Sequence, residues 1–135
     1  MNIIVCLDDK SGMMFHKRRQ SMDRALRKHM LEFTAAESLY MSPYSASQFA
    51  ELPDHVTADE SFLLIGTEQD YYFVEDACWE LFADRIREIV VYRWNRVYPA
   101  DRYFPEAELS RRKLIHREDF AGYSHDRITQ EVYTL

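Results

Sequence analysis

The chain opens on five consecutive apolar residues, Ile3-Ile4-Val5-Cys6-Leu7, closed off by Asp8 and Asp9. No polar residue alternates through this run, so a strand built from it must have protein against both faces. A strand buried on two sides sits in the interior of a sheet that carries a layer above and a layer below. That requirement rules out an open antiparallel sheet with one wet face.

The rest of the chain alternates in kind. From Ser21 onward, Met22, Leu26, Met30 and Phe33 recur at helical spacing, and Ser21 is expected to cap that helix. Leu39–Met41 reads as a short strand ended by Ser42-Pro43, and a short helix is expected over Ser45–Ala50. Leu52–Glu60 reads as polar loop, while Phe62–Ile65 and Tyr71–Val74 read as strands. Asp76 is placed to cap a helix on which Cys78, Leu81, Phe82 and Ile86 recur. Ile89–Trp94 is a second buried strand, and Asp101–Pro105 is loop. Lys113–Arg117 and Arg127–Tyr133 alternate like two antiparallel strands joined through the Gly122 region. This order predicts one α/β domain over residues 1–135. Its central sheet is mostly parallel, with helices on both faces and an antiparallel C-terminal hairpin at one edge.

Composition sets the outer bounds. An apolar share of 47% and a charged share of 30% are those of a globular domain that needs no staples. The two cysteines, Cys6 and Cys78, lie in apolar runs and are expected to be reduced core thiols. There is no basic segment leading into an apolar stretch and no run of eighteen apolar residues, so a cytoplasmic protein without membrane contact is expected. Nine Tyr and eight Phe allow a lined pocket or an oligomer interface. The five histidines show no metal-ligand spacing, so no metal is expected.

Charge is unevenly spread. Between His16 and His29, six cations (Lys17, Arg18, Arg19, Arg24, Arg27 and Lys28) face the single Asp23. That segment is +5 in a chain of net charge −6, which leaves −11 elsewhere. A basic island in an acidic protein is a candidate anion site; the plainer alternative is a solvated helix face. The acidic balance argues against general nucleic-acid binding. Tyr92, Arg93, Trp94, Asn95 and Arg96 mix aromatics with cations, as a single-strand binder would, or as a sheet edge with outward arginines would.

Several local motifs, in order, resemble the dihydrofolate reductase family over nearly the whole chain. Ile3-Ile4-Val5-Cys6-Leu7-Asp8 followed by Gly12-Met13 looks like that family's first strand and active-site loop. Ser21 to Lys28 looks like the helix start that carries its catalytic carboxylate, here Asp23. Asp101-Arg102-Tyr103-Phe104-Pro105 resembles its Asp-x-x-Phe-Pro, and Ser124-His125 falls at the turn into its last strand. The resemblance implies the family's three-layer fold. It also implies a cofactor turn of adjacent glycines, whose bare backbone lets a pyrophosphate approach.

This sequence departs from the family where its cofactor and pterin would sit. Val74, Glu75 and Asp76 stand at the glycine turn, and two carboxylates there repel phosphate. Ser42-Pro43 stands where the family has Gly-Arg for the cofactor's extra phosphate. Arg24 and Arg27 replace apolar pocket walls, and Arg18 falls near a tryptophan position. No cofactor is therefore expected, NADPH included.

The leading expectation is a repurposed cleft that binds a small anionic ligand or a partner. Arg18, Arg19, Arg24 and Arg27 would form its wall, Tyr92 would lie beside it, and Asp23 would orient the ligand. Asp23 would be kept ionised by Arg24 and Arg27; as a plain alternative, it is a first-turn acid paired with Arg27. Two other readings stand: an oxidoreductase of the family's type with an altered cofactor mode, and RNA binding through the basic helix. Whether the chain is an enzyme is left open by the sequence.

Overall fold

A computed structural model describes all of residues 1–135. The opening apolar run forms β1 (Asn2–Leu7) and pairs in parallel with β6 (Tyr71–Phe73) on one side and β7 (Glu88–Arg93) on the other. On the β6 side, β4 (Leu39–Met41) and then β5 (Val56–Ala58) continue the parallel set. On the β7 side, β10 (Ile128–Thr134) and then β9 (Lys113–Phe120) add an antiparallel hairpin. The seven strands run in the order β5-β4-β6-β1-β7-β10-β9. A smaller antiparallel sheet is made of β3 (Arg18–Arg19), β2 (Gly12–Phe15) and β8 (Arg102–Tyr103).

The period-two geometry of β1 divides the core. Ile3, Val5 and Leu7 point into one cluster with Trp79, Phe104, Val91 and Tyr72. Ile4 points into the other, with Leu26, Met30, Tyr92 and Trp94. The second cluster is covered by α1 (Arg24–Phe33), whose buried positions Leu26 and Met30 are four residues apart. The first is covered by the small sheet, by 3-10 turns at Phe62–Leu64 and Trp79–Arg85, and by α3 (Glu106–Ser110). The inner strands β1 and β7 are thus buried on both faces, as the apolar run demands, while the edge strand β9 is exposed. No helix is long and apolar enough to cross a membrane.

Some expected elements take other forms. The strand expected over Phe62–Ile65 is instead a 3-10 turn at Phe62–Leu64. Only Phe62 is buried; Leu64 and Ile65 face solvent, and the Asp59 side chain accepts from Ser61 N just before the turn. The helix expected after Asp76 shrinks to the kinked 3-10 segment Trp79–Arg85, since Leu81 is 82% exposed and anchors nothing. Cys78 is exposed rather than a core thiol. The short helix after the second strand begins earlier, as α2 (Pro43–Ala46), because Ser42 caps it by accepting from Ser45 N and Pro43 suits the first helical position. Residues 56–58, expected as loop, pair as an edge strand that buries only Val56 and so leaves no alternation to read.

Candidate functional site

Strands β1, β6 and β7 all end on the same side of the sheet, and a crevice opens there against the start of α1. Cys6, Phe73, Val74, Glu75 and Trp94 line it from the strand ends. Asp23, Leu26, Arg27 and Met30 line it from α1 and its cap, and Arg19, Gln20 and Ser21 from the segment between β3 and α1. In α/β sheets, ligands bind outside the carboxyl ends of the strands, and this is that place. The crevice encloses only about 10 Å³ of free volume, room for a single water.

The reason is a buried ion pair. Glu75, 8% exposed, follows β6 and turns into the crevice. Its carboxylate accepts from Arg19 Nε at 3.1 Å, Arg19 Nη2 at 3.2 Å, Ser45 Oγ at 2.8 Å and Gln48 Nε2 at 3.3 Å. Arg19 Nη2 also donates to the Tyr44 carbonyl at 2.9 Å, and its guanidinium lies 4.2 Å over the Tyr44 ring. Arg19 is therefore satisfied by the protein itself. Its pairing partner comes from the stretch where the resemblance implies bare glycine.

Asp23 is the second centre. It is 2% exposed and is the true N-cap of α1, accepting from Ala25 N at 2.8 Å and Leu26 N at 3.2 Å. Ser21, expected to cap, lies outside the helix, and Met22 is exposed rather than buried on its apolar face. Across the fold, the β9–β10 connection delivers Tyr123 N at 3.1 Å, Ser124 N at 2.9 Å and His125 Nδ1 at 2.9 Å to the same carboxylate. Burial alone would raise its pKa. The His125 ring and the N–H groups of Tyr123, Ser124 and Leu26 outweigh that and hold it well below the usual carboxylate range. The expected cause, Arg24 and Arg27, is not the operating one, and no ion pair joins Asp23 to Arg27. Gly122 is needed for the approach: a Cβ there would lie 2.4 Å from the His125 carbonyl and 2.9 Å from Asp23 Oδ2.

His125, 5% exposed, packs flat on Trp94 with ring centroids 4.7 Å apart. Its Nε2 lies 2.8 Å from the Tyr98 hydroxyl and 3.1 Å from Ser21 Oγ. Asp23, His125, Ser21 and Tyr98 thus form one connected chain of side chains ending at the crevice wall. Sequence reasoning missed Ser21, Tyr98, His125 and Glu75 as site residues. Glu75 and His125 stood out only as positions in the resemblance; what each would bond to could not be read, because Asp23 and His125 are 102 positions apart and Arg19 and Glu75 are 56 apart.

The expected anion wall is divided. Arg18 and Arg19 line a groove of about 450 Å³ with His16, Gln20 and Tyr98. Arg24 and Arg27 line a separate outer groove with Lys28, Glu32 and Glu51, and Arg24 stacks 4.5 Å over Tyr123. Arg18, Arg24 and Arg27 form no ion pair with any acid. Tyr92 does not reach the crevice. It is fully buried under α1, with its hydroxyl 2.8 Å from His29 Nδ1 and 3.3 Å from Gln130 Nε2, and burial pushes its pKa far up. Tyr92→Phe is therefore expected to cost about 1 kcal/mol in unfolding free energy, the worth of a buried hydrogen bond. Anion binding should be unchanged in the same variant; a changed affinity would place Tyr92 in the site after all. Cys6 lines the crevice, but burial pushes its thiol up, Glu75 adds to that, and Arg19 opposes it. It is a poor nucleophile.

No protein-family model matches the chain, and no curated protein is similar to it in sequence. Among solved structures it is similar to a dihydrofolate reductase from Enterococcus faecalis complexed with NADP(H) and RAB-propyl. The TM-score is 0.70 at 9% identity, over 98% of this chain and 94% of that chain. The fold is dihydrofolate-reductase-like. At 9% identity the likeness speaks for the fold alone. The mostly parallel sheet and the C-terminal hairpin are those that the order of elements implied.

Proposed function

We propose that this chain is a dihydrofolate-reductase-like protein that does not carry out NADPH-dependent folate reduction and that takes a small anionic ligand at the mouth of its crevice. One observation carries the reading: the Arg19–Glu75 pair fills the crevice, and Glu75 puts a buried carboxylate where a cofactor phosphate would need bare backbone. A planar ring or a pyrophosphate could enter only by separating that pair. Separation would leave a buried charge without its partner, a change that costs about 3–5 kcal/mol. The unpaired Arg18 and the open groove beside it offer an anion a cheaper place.

Thermal shift tests this with probes of similar charge. Pyrophosphate or citrate at millimolar concentration should raise the melting temperature. NADPH should do no better than pyrophosphate, because only its phosphates are recognised. Arg18→Ala should abolish the rise. A shift specific to NADPH, or NADPH oxidation that depends on added dihydrofolate, overturns the reading in favour of a working reductase.

A further inference from the structure

The side chains of Asp23, His125 and Ser21 are connected in the order that activates a serine. A carboxylate only accepts, so in the neutral ring the proton on Nδ1 points to Asp23 Oδ2 at 2.9 Å. That leaves the Nε2 lone pair facing the Tyr98 hydroxyl at 2.8 Å and Ser21 Oγ at 3.1 Å, the serine within general-base reach. The ring cannot rotate away, because it is 5% exposed and held against Trp94. Ser21 itself is half-buried and lies on the crevice wall. Acid, base and hydroxyl thus come from the α1 cap, the β9–β10 connection and the β3–α1 segment, and the fold brings them together at the one crevice that sequence and topology both indicate.

We infer that Ser21 is a nucleophile, with His125 as its general base and Asp23 as a positioning residue, and that the site hydrolyses small esters or thioesters whose acid portion is anionic. The anionic preference rests on the reading of the groove above; the nucleophile does not. Ser21 Oγ bonds to the carbonyl carbon as its proton passes to His125 Nε2, and the carbonyl π pair becomes an oxyanion. Collapse breaks the bond to the leaving oxygen or sulfur, which takes the proton from Nε2. Water then attacks the acyl-serine, giving its proton to Nε2, and the acid leaves as Ser21 recovers its hydrogen. Tyr98 has a part in this. Its hydroxyl is 2.8 Å from Nε2 and 3.5 Å from Ser21 Oγ. Once Nε2 is protonated it no longer accepts from the phenol, whose O–H is then free to donate to the oxyanion. The groove lined by Arg18 and Tyr98 adjoins these atoms and would receive the anionic end.

The test is covalent labelling of the purified chain with a neutral alkyl fluorophosphonate, read by intact mass and peptide mapping. The expected result is a single adduct on Ser21, with the exposed Ser61 and Ser110 of the same chain unlabelled. Ser21→Ala should lose the adduct while melting as the wild type does, and His125→Gln should slow labelling at least 100-fold. The comparison of Ser21 with Ser61 and Ser110 holds even where His125→Gln does not fold. No adduct on Ser21, or equal labelling of the exposed serines, overturns the nucleophile. Hydrolysis of p-nitrophenyl acetate and the p-nitrophenyl hemiester of succinic acid then separates the two readings. A tenfold or greater preference for the hemiester, lost in Arg18→Ala, supports the anionic substrate class. Labelled Ser21 without that preference overturns the substrate class and leaves the nucleophile standing.

Discussion

Asp23→Ala is expected to lower the unfolding free energy by about 3–5 kcal/mol, the range for removing one partner from a buried pair. For a chain of this length that is a fall of roughly 10 °C or more in melting temperature. The substitution removes the α1 cap and at once strips the acceptor from two N–H groups of the β9–β10 connection and from His125. His125 Nδ1 is then left buried without its acceptor, while Tyr123 and Ser124 belong to exposed residues. Urea unfolding measures the loss; a change below about 1 kcal/mol would show that the connection satisfies itself without Asp23. The same carboxylate shapes the acid limb of stability. Its pKa in the folded chain is depressed, so the unfolded chain binds more protons and stability rises with pH. The contribution is complete above the unfolded value near 3.9 and is lost as pH falls below it. In Asp23→Asn the limb below about pH 5 should be shallower but still present, because Asp8 is depressed in the same direction: burial raises it, and the N–H groups of Gly12, Tyr98 and Lys10 more than offset that.

Trp94→Ala should rank beside it, at about 3–5 kcal/mol, the usual cost of deleting a buried large aromatic. Trp94 is 4% exposed, belongs to the cluster under α1 and supports one whole face of the His125 ring. The sequence placed it at the end of a buried strand, either stacking on a single-stranded nucleic acid or covering a sheet edge together with Tyr98; in the structure it is the floor on which the Asp23–His125 chain rests. Chemical denaturation measures the cost, and Trp94→Phe should recover a good part of it by refilling the cavity. A loss under 1.5 kcal/mol would mean that the crevice collapses around the gap.

What could be read before any coordinates was whatever depends on near neighbours in the chain. Ile3–Leu7 reads as an interior strand, Leu26 and Met30 as the buried side of a helix, and residues 113–117 and 127–133 as an antiparallel pair, although β9 is exposed along nearly its whole length and β10 is buried at five successive residues instead of alternating. Those three elements are enough to choose the fold class. Leu64 and Leu81 are apolar and in period but stay exposed, so no strand forms at the first and no long helix at the second.

The site was legible only in outline. Glu75 in place of glycine could be seen, and so could the basic island; the way these two meet could not. A charge in a sequence has no partner until the chain closes, and desolvation and pairing are settled by atoms dozens of positions away. Sequence alone therefore determined a two-sided sheet, a helix laid on it and the presence of side chains rather than glycine at Val74, Glu75 and Asp76. Only the tertiary structure decided that Arg19 is spent on Glu75, that Arg18 is free, and that Asp23 faces His125 instead of Arg27. The physical reason is range: burial periodicity acts within one element, whereas hydrogen bonding and electrostatics act across whatever the fold places within a few ångströms.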